Sequence, residues 1–169
     1  VVTARRMAEI AAAVNPGASE ARSALLELGG LAAAPAVWRG ARNDRVIALT
    51  FDDGPKPGET EPLLDALARE RVPATFFVIG RHTTAYPDLT RKIAEAGMQI
   101  ENHGYTHRNL AALSSGSVAR ELLRTQASVT RATGRRTRYF RPPGGKTSPA
   151  VSREAARWQT PRVAGARGL

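Results

Sequence analysis

Short apolar runs alternate with amphipathic segments along most of the chain. The apolar runs predict buried parallel strands over Val46–Phe51, Ala74–Ile79, Met98–Glu101 and Arg138–Phe140. Apolar residues at helical spacing predict helices over Glu61–Glu70, Asp88–Ala96, Ser117–Ala132 and Ser148–Trp158, the last of which is capped by Ser148. Strands and helices that alternate with short links indicate an α/β fold with a parallel sheet.

The two ends of the chain show different patterns. Residues 1–45 are rich in alanine and predict a helix over Ala4–Val14, a second helix from Ser19 to Gly29, and a linker over Leu31–Asp44. Residues 159–169 continue none of the patterns that precede them. We therefore divide the chain into a helical and linker extension (1–45), a domain (46–158) and a tail (159–169).

Composition narrows the chemistry. The sequence has no cysteine, which excludes disulfides, thiolate nucleophiles and cysteine-ligated zinc. The formal net charge of +10 favours anionic partners, but the arginines are scattered apart from Arg135, Arg136 and Arg138. We expect no membrane-spanning segment, and residues 1–20 lack the continuous apolar run of a secretory leader.

Polar residues follow three of the predicted strands. Asp52 and Asp53 come after the first strand, His103 after the third and Arg141 after the fourth. Such side chains meet at the carboxyl ends of parallel strands, either on one face of a (β/α) barrel or at the switch point of an open doubly wound sheet. The pattern alone leaves both architectures open.

Histidine spacing suggests a metal site. His103 and His107 are four residues apart, which places them on one side of a helical turn, and imidazole is a common metal ligand. With one aspartate they would give three ligands and an open position, as in catalytic zinc sites. Taken singly, the histidine pair is weak evidence and the aspartates could form an ordinary turn. The third histidine, His82, is interpreted as a structural or exposed residue in a loop.

The segment from Phe140 to Gly145 reads Phe-Arg-Pro-Pro-Gly-Gly. The prolines stiffen the chain after a strand, and the glycines allow the backbone to approach a ligand. Arg141 could pair with a carboxylate at a neighbouring strand end. The alternative is an ordinary turn that carries a surface arginine.

Taken together, the Thr-Phe-Asp-Asp-Gly-Pro motif that begins at Thr50, the later His-x-x-x-His and the Arg-Pro-Pro segment resemble the polysaccharide deacetylases of carbohydrate esterase family 4. The resemblance covers Val46 to Trp158. It implies a partial (β/α) barrel of the deacetylase type, with parallel strands and the last barrel units missing.

The resemblance also implies roles for individual residues. Asp52 matches the general base, and Arg141 matches the arginine that orients it. Asp53, His103 and His107 match the ligands of a divalent metal, with zinc as the first choice and cobalt or manganese as alternatives. Gly144 stands where the family often has tyrosine, and its backbone N–H is the expected donor to the oxyanion.

The implied activity is metal-dependent removal of N-acetyl groups from amino sugars of a chitin-like glycan or peptidoglycan, in the cell envelope or outside the cell. The family's final motif carries a histidine as general acid, but this sequence has no histidine after His107. We therefore hold two hypotheses, an active deacetylase and an inactive metal- or glycan-binding remnant of a truncated or frame-shifted chain. A basic nucleic-acid binder would explain neither the aspartates nor the histidines, so we expect no nucleic-acid partner.

Overall fold

The computed structural model describes strand β1 (Ala36–Val37), residues 47–157 and strand β5 (Arg162–Val163). β1 and β5 pair in parallel, so the segments predicted as linker and as tail each contribute a two-residue strand. The two helices predicted within residues 1–30 lie outside the described residues.

The central sheet has three parallel strands: β2 (Thr50–Asp52), β3 (Thr75–Val78) and β4 (Gln99–Asn102). They lie in chain order, with Thr50 opposite Thr75 and Thr75 opposite Gln99. Each strand is therefore next to its successor, as in a (β/α) barrel. A doubly wound sheet reverses direction at a switch point, and the described strands show no such reversal.

The helices surround this sheet. They are α1 (Thr60–Glu70), α2 (Gly80–Ala85), α3 (Pro87–Glu95), α4 (Ser115–Thr133) and α5 (Pro149–Arg157), with short 3₁₀ helices at Leu110–Ala112 and Pro143–Gly145. The four predicted helices are confirmed within a few residues. The predicted cap is also present, since Val151 N donates to Ser148 Oγ at 3.3 Å. Among the described residues, no helix combines the length and apolar character that crossing a bilayer requires.

The first predicted strand was too long and too buried. Ile47 is 87% exposed, and pairing with β3 begins only around Leu49, whose carbonyl accepts from Thr75 N at 3.0 Å. In this register Ala48 lies opposite Pro73, which has no N–H to donate. The ladder therefore starts after the proline.

The fourth predicted strand, Arg138–Phe140, is reduced to one parallel bridge between Asn102 and Phe140. The N–H groups of Arg138 and Tyr139 both donate to Glu101 Oε2 at 2.6 Å. A buried carboxylate thus takes the place of strand partners at this point, which a strand-by-strand reading of sequence does not anticipate.

Helix α2 was not predicted, and His82 lies in this helix rather than in a loop. Six residues are too few to show a helical period. The helix forms where β3 ends, because the N–H groups of Gly80 and Arg81 donate to the carbonyls of Gly104 and Tyr105 at 3.0 Å. These bonds join α2 to the segment that carries the two predicted histidine ligands.

Candidate metal centre and active site

Asp53, His103 and His107 converge at the carboxyl end of the sheet, as predicted, but the two histidines lie in a non-helical loop rather than on the expected helical turn. His107 Nε2 lies 2.9 Å from Asp53 Oδ1, and His103 Nε2 lies 3.4 Å from the same oxygen. Asp53 and His107 both adopt a left-handed backbone conformation, with φ of 70° and 61°. These turns aim their side chains toward His103, which directly follows β4.

His103 is held in the form that a metal ligand requires. It is 2% exposed, and its Nδ1–H donates to the carbonyl of Arg141 at 2.7 Å. A carbonyl only accepts, so this bond places the proton on Nδ1 and leaves Nε2 free to bind a cation. Burial lowers the pKa of His103, which favours the neutral imidazole.

The donor set fits a divalent ion. One ligand atom from each of the three residues lies within 4.8 Å of the others, and this is the only such cluster within the described part of the chain. Asp53 Oδ1 is buried and has no hydrogen-bond partner, which is costly unless a cation satisfies it. One carboxylate and two imidazoles are typical ligands of zinc and related metals.

Asp52 points to a different partner from its neighbour Asp53. Arg141 Nη1 donates to Asp52 Oδ1 at 2.6 Å and to Thr50 Oγ1 at 3.0 Å, which confirms the predicted ion pair. Asp52 Oδ2 remains 4.0 Å from His103 Nε2, beside the group of candidate metal ligands. The adjacent carboxylates are thus divided, one facing the cluster and one facing the arginine.

Gly144 lies in an exposed turn directly after Pro143. Its φ of 62° is a conformation that glycine adopts readily, and Gly145 N closes the turn onto the carbonyl of Pro142 at 2.9 Å. Pro143 packs against the histidine segment, because a Cβ added to Gly104 would lie 3.6 Å from its Cγ. The role of Gly144 as an oxyanion donor stays a prediction.

Two supporting residues belong to the site. His82 Nδ1 lies 2.9 Å from the carbonyl oxygen of Asp53, so the structural interpretation of this histidine is confirmed. Glu121 of α4 accepts from the N–H groups of Tyr105 and Thr106, each at 2.8 Å. Sequence reasoning missed Glu121, although an acidic residue beside Leu122 on the apolar side of a helix is a signal that could have drawn notice.

A sequence model of the family described as polysaccharide deacetylase matches residues 39–163. The chain belongs to the polysaccharide deacetylase family. The match begins before and ends after the 46–158 domain proposed from the sequence.

Individual relatives agree with this membership. The deacetylase-family chain is 48% identical over 90 residues to a chitooligosaccharide deacetylase of Rhizobium leguminosarum bv. trifolii, covering 53% of this chain and 42% of the relative. It is 36% identical over 109 residues to a peptidoglycan-N-acetylglucosamine deacetylase of Bacillus cereus, covering 64% of this chain and 40% of the relative. The chain therefore spans less than half the length of these curated relatives.

The fold of this deacetylase-family chain is similar to that of solved structures. It superposes on a family 4 carbohydrate esterase from Streptomyces lividans in complex with acetate, with a TM-score of 0.67 and 37% identity over 69% of this chain and 60% of that one. The described parallel strands thus form part of the (β/α) barrel of this family, which confirms the fold class expected from the sequence.

Proposed function

We propose that this chain carries the metal-binding half of a hydrolase that removes N-acetyl groups from amino sugars of a polysaccharide. The observation that supports this most is that His103 and His107 both lie close to Asp53 Oδ1, a buried carboxylate oxygen that lacks a hydrogen-bond partner. The neighbouring Asp52 is paired with Arg141. Zinc is the metal we expect, with cobalt or manganese as alternatives.

The residues divide the work of amide hydrolysis. A divalent ion held by Asp53, His103 and His107 would supply Lewis acidity toward water and an acyl oxygen. Asp52 would accept a proton from the attacking water, and this role is supported by the hold of Arg141 on one of its oxygens, while the other lies 4.0 Å from His103 Nε2. The backbone N–H of Gly144 would donate to the oxygen on which negative charge develops.

The substrate is an N-acetylated glycan, either chitin-like or peptidoglycan. This choice rests on the names of relatives that act on chitooligosaccharides and on peptidoglycan N-acetylglucosamine. Both glycans carry an acetamide on a sugar ring, so the same three ligands and the same base serve either substrate.

Acetate release tests the proposal. The full chain, stripped of metal and then given zinc, should bind one zinc per chain and release acetate from N-acetylglucosamine oligomers. Asp52→Asn should keep the zinc and lower turnover by about 10²–10⁴-fold, the usual value of a positioned acid or base. A wild-type chain that binds no zinc would contradict the proposed site itself.

One observation favours the alternative of glycan or metal binding without turnover. The three histidines of the sequence are all engaged: His103 and His107 face Asp53 Oδ1, and His82 contacts the Asp53 carbonyl. Each histidine thus already has a partner in Asp53, and we assign none of them to protonate a leaving amine. Retention of zinc and of the oligomer with no acetate release, in both wild type and Asp52→Asn, would favour this alternative.

A further inference from the structure

The segment from His103 to His107, hereafter the histidine loop, leaves the sheet after its first residue, whose N–H donates to the Val78 carbonyl of β3 at 3.0 Å. Beyond His103 the loop runs between β4 and the 3₁₀ helix at Leu110, and its backbone no longer follows the ladder of the sheet. A loop that must hold two ligands against Asp53 needs other partners for its N–H and carbonyl groups. The structure supplies them from two neighbouring helices and one side chain of β4.

The carbonyl side of the histidine loop is satisfied by α2. Gly80 N donates to the Gly104 carbonyl and Arg81 N donates to the Tyr105 carbonyl, both at 3.0 Å. The N–H of Gly104 is satisfied locally, since it donates to Asn102 Oδ1 at 2.9 Å. The next two N–H groups are those of Tyr105 and Thr106, which directly precede His107.

Glu121 accepts hydrogen bonds from both of these N–H groups. Its Oε2 accepts from Tyr105 N and Thr106 N at 2.8 Å each, and its Oε1 accepts from Thr106 Oγ1 at 2.8 Å. The residue is 9% exposed, so the three bonds are shielded from water. Hydrogen bonds to an ionised carboxylate are about twice as strong as neutral ones.

Helix α4 fixes where this carboxylate lies. Asn102 Nδ2 donates to the Leu122 carbonyl at 3.0 Å, so α4 is joined to the end of β4 next to Glu121. Thr125 Oγ1 donates to the Glu121 carbonyl at 2.9 Å and packs against Gly80 of α2. The carboxylate is therefore held in a fixed place relative to both ends of the histidine loop.

We propose that Glu121 is a positioning residue for the metal centre, which acts by holding the Tyr105–Thr106 backbone so that His107 keeps its left-handed conformation and its 2.9 Å approach to Asp53. The inference rests on the proposed metal site. Glu121 does not touch substrate or metal. Its effect reaches the site through the backbone of the loop, as supporting hydrogen bonds do around other metal ligands.

Zinc affinity of the folded full chain tests this role by calorimetric titration. Glu121→Ala should raise the zinc Kd by about 10–100-fold, the usual cost of losing such a support. Glu121→Gln should largely restore affinity, because its carbonyl can accept from both N–H groups and its amide can donate to Thr106 Oγ1. The matched control is Val129→Ala, which removes buried volume from α4 with no hydrogen bond to the loop.

Amide hydrogen exchange in the metal-free protein gives a second readout. Glu121→Ala should accelerate exchange at Tyr105 and Thr106, while Val129→Ala should not do so selectively. If Glu121→Ala fails to fold, Thr106→Ala decides the matter, since it removes the Oγ1 bond from the loop side and should weaken zinc binding.

The outcomes separate this inference from the proposed function. A wild type that binds zinc, with Glu121→Ala of equal affinity or Val129→Ala equally weakened, would overturn the role of Glu121 alone. Unchanged affinity in Thr106→Ala, where Glu121→Ala does not fold, would do the same. A wild type without zinc binding would overturn the metal site and this role together.

Discussion

Arg141 Nη1 lies 2.6 Å from Asp52 Oδ1, although the two residues are 89 positions apart in the sequence. The guanidinium carbon of Arg141 also lies 4.1 Å from the centroid of the Phe77 ring. The arginine side chain is 8% exposed, whereas that of Asp52 is 36% exposed. One partner of the pair is thus fixed in the core, and the other reaches the open end of the sheet.

Arg141→Ala should therefore impair turnover more than binding. Loss of the bond frees Asp52 to adopt other rotamers, and we expect kcat for acetate release to fall by about 10²-fold, the lower end of the range for acid–base catalysis. The zinc content should stay unchanged, because His103 bonds to the backbone carbonyl of residue 141 and not to its side chain.

Arg141→Lys is the matched control for that variant. Lysine keeps the charge but lacks the guanidinium group, whose Nη1 donates to both Asp52 and Thr50, so it should recover part of the lost rate. Steady-state kinetics on N-acetylglucosamine oligomers measure both variants. An unchanged kcat in Arg141→Ala would show that Asp52 does not depend on this pair.

Alanine substitutions at the three histidines of the chain should affect zinc binding to different degrees. His103→Ala and His107→Ala should each abolish stoichiometric zinc, because each removes one of the three proposed ligands. His82→Ala should keep the stoichiometry and bind zinc more weakly, since it removes only the 2.9 Å contact to the Asp53 carbonyl. Metal analysis after gel filtration measures all three, and retention of zinc by His107→Ala would exclude the proposed ligand set.

The burial of Glu101 should make the free energy of unfolding depend on pH. Burial raises the pKa of Glu101 from 4.5 to about 7, although hydrogen bonds from Gln99, Tyr139 and Arg138 oppose the shift. Between these values the folded state holds a proton that the unfolded chain has released. Its contribution to the free energy of unfolding is therefore favourable at low pH and falls as the pH rises from about 4.5 to about 7, by roughly 3 kcal/mol.

Comparison with Glu101→Gln isolates that contribution from other titrating groups. The variant cannot ionise, so its free energy of unfolding relative to wild type should rise from pH 5 to about pH 7 and then level off by pH 8 in the metal-free protein. Urea unfolding monitored by circular dichroism gives both values at each pH. A constant difference across this range would mean that Glu101 titrates alike in the folded and unfolded states.

Gly80, at the junction of α2 and α4, lies where there is no room for a side chain. A Cβ at this position would lie 2.5 Å from Tyr105 Cδ2 and 2.9 Å from Thr125 Cα. Gly80→Ala should cost about 1–3 kcal/mol by overpacking. Gly116→Ala is the control, because its nearest atom is 3.8 Å away and alanine is the better helix former, so that variant should gain up to about 1 kcal/mol.

Thermal unfolding compares these two glycine variants directly. Because Gly80 N also supports the Gly104 carbonyl, zinc affinity in Gly80→Ala should fall together with stability. Equal melting temperatures for both variants would show that α2 can move away from α4 without cost.

The sequence correctly predicted two of the buried strands and the residues that meet at the candidate site. The apolar runs at Ala74–Ile79 and Met98–Glu101 predicted β3 and β4, since strands buried among helices must be apolar on both faces. The Asp-Asp and His-x-x-x-His spacing predicted which residues would meet. Asp53, His103 and His107 do meet, because the carboxyl ends of parallel strands share one edge of the sheet.

Only the tertiary structure decided how those residues are supported. Pro73 delays the first ladder, Glu101 replaces strand partners for Arg138 and Tyr139, and Glu121 holds the histidine loop from a helix. In each case the decisive hydrogen bond involves residues far apart in the sequence. It is formed at Glu101 and Glu121, and it is missing at Pro73. The local sequence pattern indicates which side chains are buried. The hydrogen-bond partner of a buried carboxylate depends instead on how the helices and strands pack together.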